Sequence, residues 1–197
     1  GNLFSRIGSS AMPMLIPLLL QVGLSLGPMT AGLMMVPVAA AGMVSKKAAV
    51  RLVERYGYRR VLMVNTVLVG IAMASFVLMT PDQPLAWRLV QLALFGAVNA
   101  LQFTVMNTVT LRDLDAESAS AGNSLLSMVM MLAAGFGAAA AGSLLAAFGT
   151  HLDAHNATAA LHATFICVGA ITLTSTLIFW QLPDTGPEPR KVEEVAE

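Results

Sequence analysis

The sequence predicts an all-α membrane protein, a six-transmembrane-helix bundle, on three observations. Hydrophobic residues make up 56% of the 197 and charged residues only 11%, with a mean hydropathy of +0.73. A soluble chain of this length has too little polar surface to wet such a composition, so lipid must solvate most of it. Six apolar stretches reach the roughly 17–25 residues a bilayer crossing needs, at about 4–24, 28–50, 60–79, 86–108, 121–148 and 159–181. The acidic residues fall in the breaks and the tail, and none lies in mid-span.

The first stretch carries Arg6, Ser9, Ser10 and Gln21, with Pro13 and Pro17 four apart. Each proline removes a donor and collides with the preceding turn, which predicts a bent helix; Arg6 either snorkels to the cytoplasmic headgroups or faces the interior and meets an anion or a partner carboxylate. After GLSLGP the second stretch opens on Pro28 and runs into KKAAVRLVERYGYRR at 46–60. That window holds Lys46, Lys47, Arg51, Arg55, Arg59 and Arg60, six of the eleven basic residues. A nucleic-acid helix would explain the cluster, but net charge is zero and no other basic surface accompanies it, so nucleic acid is excluded as a partner.

The third stretch, with Asn65, Thr66 and Ser75, and the sixth, with Thr172, Thr174, Ser175 and Thr176, are bland. Most of these residues can bond back to their own helix, which predicts a lipid-facing periphery for both spans. The fourth is the most polar. Gln91, Asn99 and Gln102 fall within an arc of about 80° at helical spacing, with Phe95 and Met106 in the same arc. Amides in hydrocarbon either bond across to neighbouring helices or line a cavity, and both readings stand for this stripe. The fifth opens on Asn123, Ser124 and Ser127, then supplies Gly135, Ala138, Gly142 and Ala146, whose small side chains suit close helix packing. From 183 to 197, PDTGPEPRKVEEVAE reads as a polar disordered tail.

With six spans the breaks alternate sides, and ten of the eleven basic residues collect on one of them. The positive-inside rule makes that side cytoplasmic, together with both termini and the tail. A proton relay needs an intramembrane carboxylate, and these spans offer none. Cys167 is the only cysteine, and no Ser/His/Asp, Cys/His or phosphate-loop arrangement is present, so neither an enzyme nor a bound cofactor is expected. His151, Asp153, His155 and His162 read as a solvated loop rather than a metal site. A start at Gly1 directly before an apolar run suggests a fragment or trimmed chain.

GLSLGPMTAGLMMVP, VERYGYRRVL and MNTVTLRDLDAESASAGNSLLSM together resemble the C-terminal half of a major facilitator superfamily transporter, in the branch of drug:proton antiporters with fourteen predicted spans. The resemblance extends over nearly the whole chain and fades in the tail. It implies one half of a major facilitator fold in a bacterial inner membrane, paired with an N-terminal half around a cavity that opens alternately to either side. The first, second, fourth and fifth helices would line that cavity, making Gln21, Gln91, Phe95, Asn99, Gln102, Met106 and Asn123 the candidate substrate contacts. VRLVERYGYRR is similar to the superfamily's cytoplasmic gating motif, with Glu54, Arg55, Gly57, Arg59 and Arg60 as its candidate residues. Val50 stands where that motif has glycine, and Glu54 where it has aspartate. The implied function is proton-coupled efflux of small apolar or amphipathic compounds. A specific metabolite or amino-acid exporter is the alternative within the class, and a non-transporting membrane scaffold the alternative outside it.

Overall fold

The computed structural model describes residues 2–111, 119–151 and 157–179, and all regular structure among them is helical. Helix α1 (Asn2–Leu18) continues into a wider π turn, Leu19–Gly23. Then follow α2 (Pro28–Met34), α3 (Val36–Tyr56), α4 (Tyr58–Ser75, with a 3₁₀ turn at Phe76–Leu78), α5 (Leu85–Leu111), α6 (Ala119–His151) and α7 (Ala157–Phe179). Among the described residues, five helical stretches are long and apolar enough to cross a membrane: Pro28–Tyr56, Tyr58–Leu78, Leu85–Thr110, Ser120–Thr150 and Ala157–Thr174. The first predicted span is helical as far as Gly23. Its winding widens just past Pro17, where Leu24 N–H reaches back five residues to Leu19 O at 2.9 Å.

The second predicted span differs from its expected form at both ends. Pro37 cannot donate, so the chain tightens at Met35, where Met35 N–H bonds Gly32 O and Val38 N–H bonds Met35 O, both at 3.1 Å. At the other end the helix continues past residue 50 into the basic window. Helix α3 runs on to Tyr56, so Lys46, Lys47, Arg51 and Arg55 ride its last turns, while Arg59 and Arg60 open α4. Only Gly57 separates the two helices. It is buried with φ 77° and ψ 158°, a conformation essentially confined to glycine, and any side chain there would cost roughly 1–3 kcal/mol.

Helix packing follows a simple order. Helix α3 lies along α5, α5 along α4, α4 along α7, α7 along α1, and α1 along α6. Counting α1 with its π turn as span one and α2–α3 as span two, the order is 2-4-3-6-1-5. It is unchanged when the first three spans are exchanged with the last three.

Close backbone approaches fall at matching crossings. Gly96 of α5 lies against Val38 of α3, Gly137 of α6 against Ile7 and Ala11 of α1, and Gly70 of α4 against Gly169 of α7. The last pairing joins the two spans read as peripheral, and their inner faces build the core. Phe76, after α4, meets Phe95 edge-on at 5.6 Å and Phe165 of α7 at 5.3 Å between ring centres. The small-residue stripe of α6 is set one position off its predicted register. Ala133, Gly137 and Ala141 are its buried face, while Gly135 and Gly142 face open space.

Candidate functional site

Helix α5 presents two different polar stripes. The predicted one turns largely toward α4. Gln102, 1% exposed, donates from Nε2 to Thr66 Oγ1 at 2.7 Å and accepts from Asn65 Nδ2 at 2.8 Å, while Asn65 also donates to Val98 O. Thr66 in turn donates its hydroxyl hydrogen bond to Leu62 O. Gln91 donates to Ser75 O at 3.1 Å. Phe95 belongs to the aromatic core, and Met106 to a second apolar cluster with Leu62 and Leu101. These four residues are therefore enclosed between helices. Unlike Thr66, Asn65 does not bond back to its own helix: its amide crosses to α5, where Gln102 and Val98 offer carbonyls.

This clamp makes a prediction. Replacing Gln102 with leucine should cost roughly 0.6–1.7 kcal/mol of stability, the range for hydrogen bonds between membrane helices. A double-mutant cycle with Asn65→Leu should show coupling of similar size, read from thermal unfolding in detergent. Additive losses would mean that the two amides act separately.

The second stripe is Asn99, Phe103 and Asn107, spaced i, i+4, i+8 and half-buried. It meets α1 through Arg6, which is 1% exposed rather than snorkelling. Arg6 Nη2 donates to Asn107 Oδ1, and its guanidinium lies over the Phe103 ring, 5.4 Å from the centre. A planar, weakly hydrated guanidinium suits such a stack, and the amide oxygen satisfies part of its donor fork. Nearby on α1, Ser9 Oγ is buried with no hydrogen-bond partner among the described residues, and the same is true of Asn99 Oδ1 on α5. Together these groups offer a fixed cation, a ring face and amide acceptors between the first and fourth spans. Sequence reasoning missed Phe103 and Asn107, although Asn99 and Asn107 stand two turns apart and bracket an aromatic residue.

Gln21 is exposed near the C-terminal end of its span, and Asn123 is exposed near the N-terminal end of α6, so neither joins this cluster. In the candidate gating region Arg55 lies over the Tyr56 ring at 5.4 Å, and Glu54 occupies the exposed side of the same last turn. Arg88 opens α5 by donating to Pro81 O at 2.6 Å and Gln83 O at 2.7 Å, tying down the 80–84 turn. Arg112, Asp113, Asp115, Glu117, Asp153, His155 and the 183–197 tail lie outside the described residues.

The sequence profile of the Major Facilitator Superfamily matches residues 2–197. The chain is 43% identical over 191 residues to a Cronobacter sakazakii protein named "Putative multidrug resistance protein MdtD", covering 93% of this chain and 40% of that protein. It is 43% identical to the protein of the same name from Yersinia enterocolitica, over 94% of this chain and 40% of the relative, and 42% identical to that of Yersinia pestis. The chain thus spans about 40% of the length of the curated relatives it matches. Helices long enough to cross a bilayer, a packing order that is the same for the two halves of the chain and a match along nearly the full sequence agree: this multi-pass membrane chain belongs to the major facilitator superfamily.

Proposed function

We propose that the chain is the C-terminal half of a proton-coupled exporter of small apolar or amphipathic compounds, working by alternating access. The observation that carries this reading is the Asn99–Phe103–Asn107 stripe facing Arg6, half-buried polar groups on the two spans that exchange under the internal symmetry. Large apolar faces flank it. Met43 and Val44 on α3, and Met131 and Phe136 on α6, are exposed in this chain and suit contact with lipid and with an N-terminal six-helix half. With six spans, both ends of the chain and the Lys46–Arg60 cluster would lie on the cytoplasmic side of a bacterial inner membrane. Glu54, Arg55, Gly57, Arg59 and Arg60 would serve there as the gating turn.

Among the candidate contacts, Gln21, Asn99 and Asn123 would reach substrate directly. Gln91, Phe95, Gln102 and Met106 would brace the wall behind them. No carboxylate lies mid-span among the described residues, so a coupling acid would belong to the partner half. The buried guanidinium of Arg6 favours a second reading, an exporter of a metabolite bearing a carboxylate or another strong acceptor.

Cysteine protection tests the site. In the full-length protein with Cys167→Ser, Asn99→Cys is expected to react with a small maleimide and to be shielded several-fold by a transported lipophilic dye. Equal reaction with and without the dye, in protein that still exports it, would remove Asn99 from the substrate path.

A further inference from the structure

We infer that a groove on the outer side of α3, α4 and α5 binds an anionic phospholipid, with an acyl chain along α4 and the headgroup at Arg60. The groove has a volume of about 510 Å³, and Leu52, Val64, Leu68 and Leu101 give it an almost wholly apolar wall. Its one amide, Asn65, is already committed to Val98 and Gln102. Val64 is 62% exposed and Leu68 46%, so the trough opens outward along its length.

Polarity appears only at one end. Arg60 lines the groove in the first turn of α4 and makes no hydrogen bond or ion pair among the described residues. Tyr56 lines the same end and carries the guanidinium of Arg55 over its ring. The surrounding window 46–60 holds six basic residues against one acid, Glu54. From Arg60 to Leu68 the helix rises about 12 Å, enough for the upper part of an acyl chain below a phosphate at the guanidinium.

The side of the bundle also argues for lipid. Val98 and Leu101 lie about 170° around α5 from the Asn99–Phe103–Asn107 stripe at helical spacing. The groove therefore faces away from the proposed cavity and from the half that would cover it. A basic pocket between membrane helices, with apolar walls below it, complements an anionic headgroup with its acyl tail.

Native mass spectrometry of the purified full-length protein, with phosphatidylglycerol or phosphatidylcholine of identical chains, tests the assignment. Phosphatidylglycerol adducts are expected to exceed phosphatidylcholine adducts about five-fold, and Arg60→Gln to remove most of that preference, as suits one surface charge. Val64→Trp, which fills the exposed trough, should weaken both lipids. Lys46→Gln, away from the groove, should leave the ratio unchanged. Equal binding of the two lipids would overturn the site, as would an effect of Lys46→Gln matching that of Arg60→Gln. So would displacement of phosphatidylglycerol by millimolar inorganic phosphate, which would mark a free-anion site. If Val64→Cys stays shielded from maleimide after delipidation, protein covers the groove and the lipid assignment fails.

Discussion

Gly96→Ala is expected to destabilise the bundle by about 3 kcal/mol, the upper part of the usual overpacking range. A Cβ at Gly96 would stand 2.6 Å from Val38 Cα and 2.8 Å from its carbonyl carbon, closer than real Cβ contacts come. Both obstacles are backbone, so no rotamer change relieves them. Helices α3 and α5 would have to separate, loosening the contact between Gly42 and Ala100 one turn further along. Gly137→Ala should act alike, because its Cβ would meet Ile7 O at 2.5 Å at the symmetry-related crossing of α6 and α1. Gly135→Ala and Gly142→Ala meet nothing within 4 Å and should stay within about 0.5 kcal/mol of wild type. Thermal unfolding of the full-length protein in detergent separates the two groups. Wild-type stability in Gly96→Ala would show that the α3–α5 crossing is wider than described.

Arg6→Gln is expected to lower efflux about thirty-fold while leaving the protein in the membrane. The guanidinium donates to Asn107 and stacks on Phe103, and a charged hydrogen bond of this kind contributes about 2 kcal/mol. Arg6→Lys should not restore transport, since an ammonium is a point charge that cannot lie flat on the ring while reaching the amide. Asn107→Leu should reproduce much of the Arg6→Gln defect. Rates are read against surface-normalised expression. If Arg6→Lys exports at the wild-type rate, charge alone matters and the stacked geometry does not.

The all-helical, membrane-spanning class was legible in the sequence because lipid imposes a length rule that needs no knowledge of neighbours. What hydropathy does not carry is direction around a helix. Helix α6 is apolar on every side, so its composition does not distinguish the face of Gly137 from that of Gly135 and Gly142. On α5 the amides announced that they were inward, but not toward which neighbour. Gln102 turned to α4 because Asn65 and Thr66 supply a complementary donor and acceptor, and that is a tertiary fact. The same limit hid the second stripe, since Asn107 gains its meaning only from Arg6, 101 residues away. Gly57, which the sequence offers only through its likeness to the gating motif, owes its place to its own positive φ where α3 gives way to α4.

Efflux from proteoliposomes bearing the full-length protein tests the central claim most directly. A lipophilic fluorescent dye would be followed under an imposed pH gradient, with and without a protonophore. Gradient-dependent dye movement, abolished by the protonophore and reduced about thirty-fold in Arg6→Gln, is the predicted result. Movement indifferent to the gradient, or no movement across a broad panel of dyes and carboxylate metabolites in folded protein, would contradict proton-driven export.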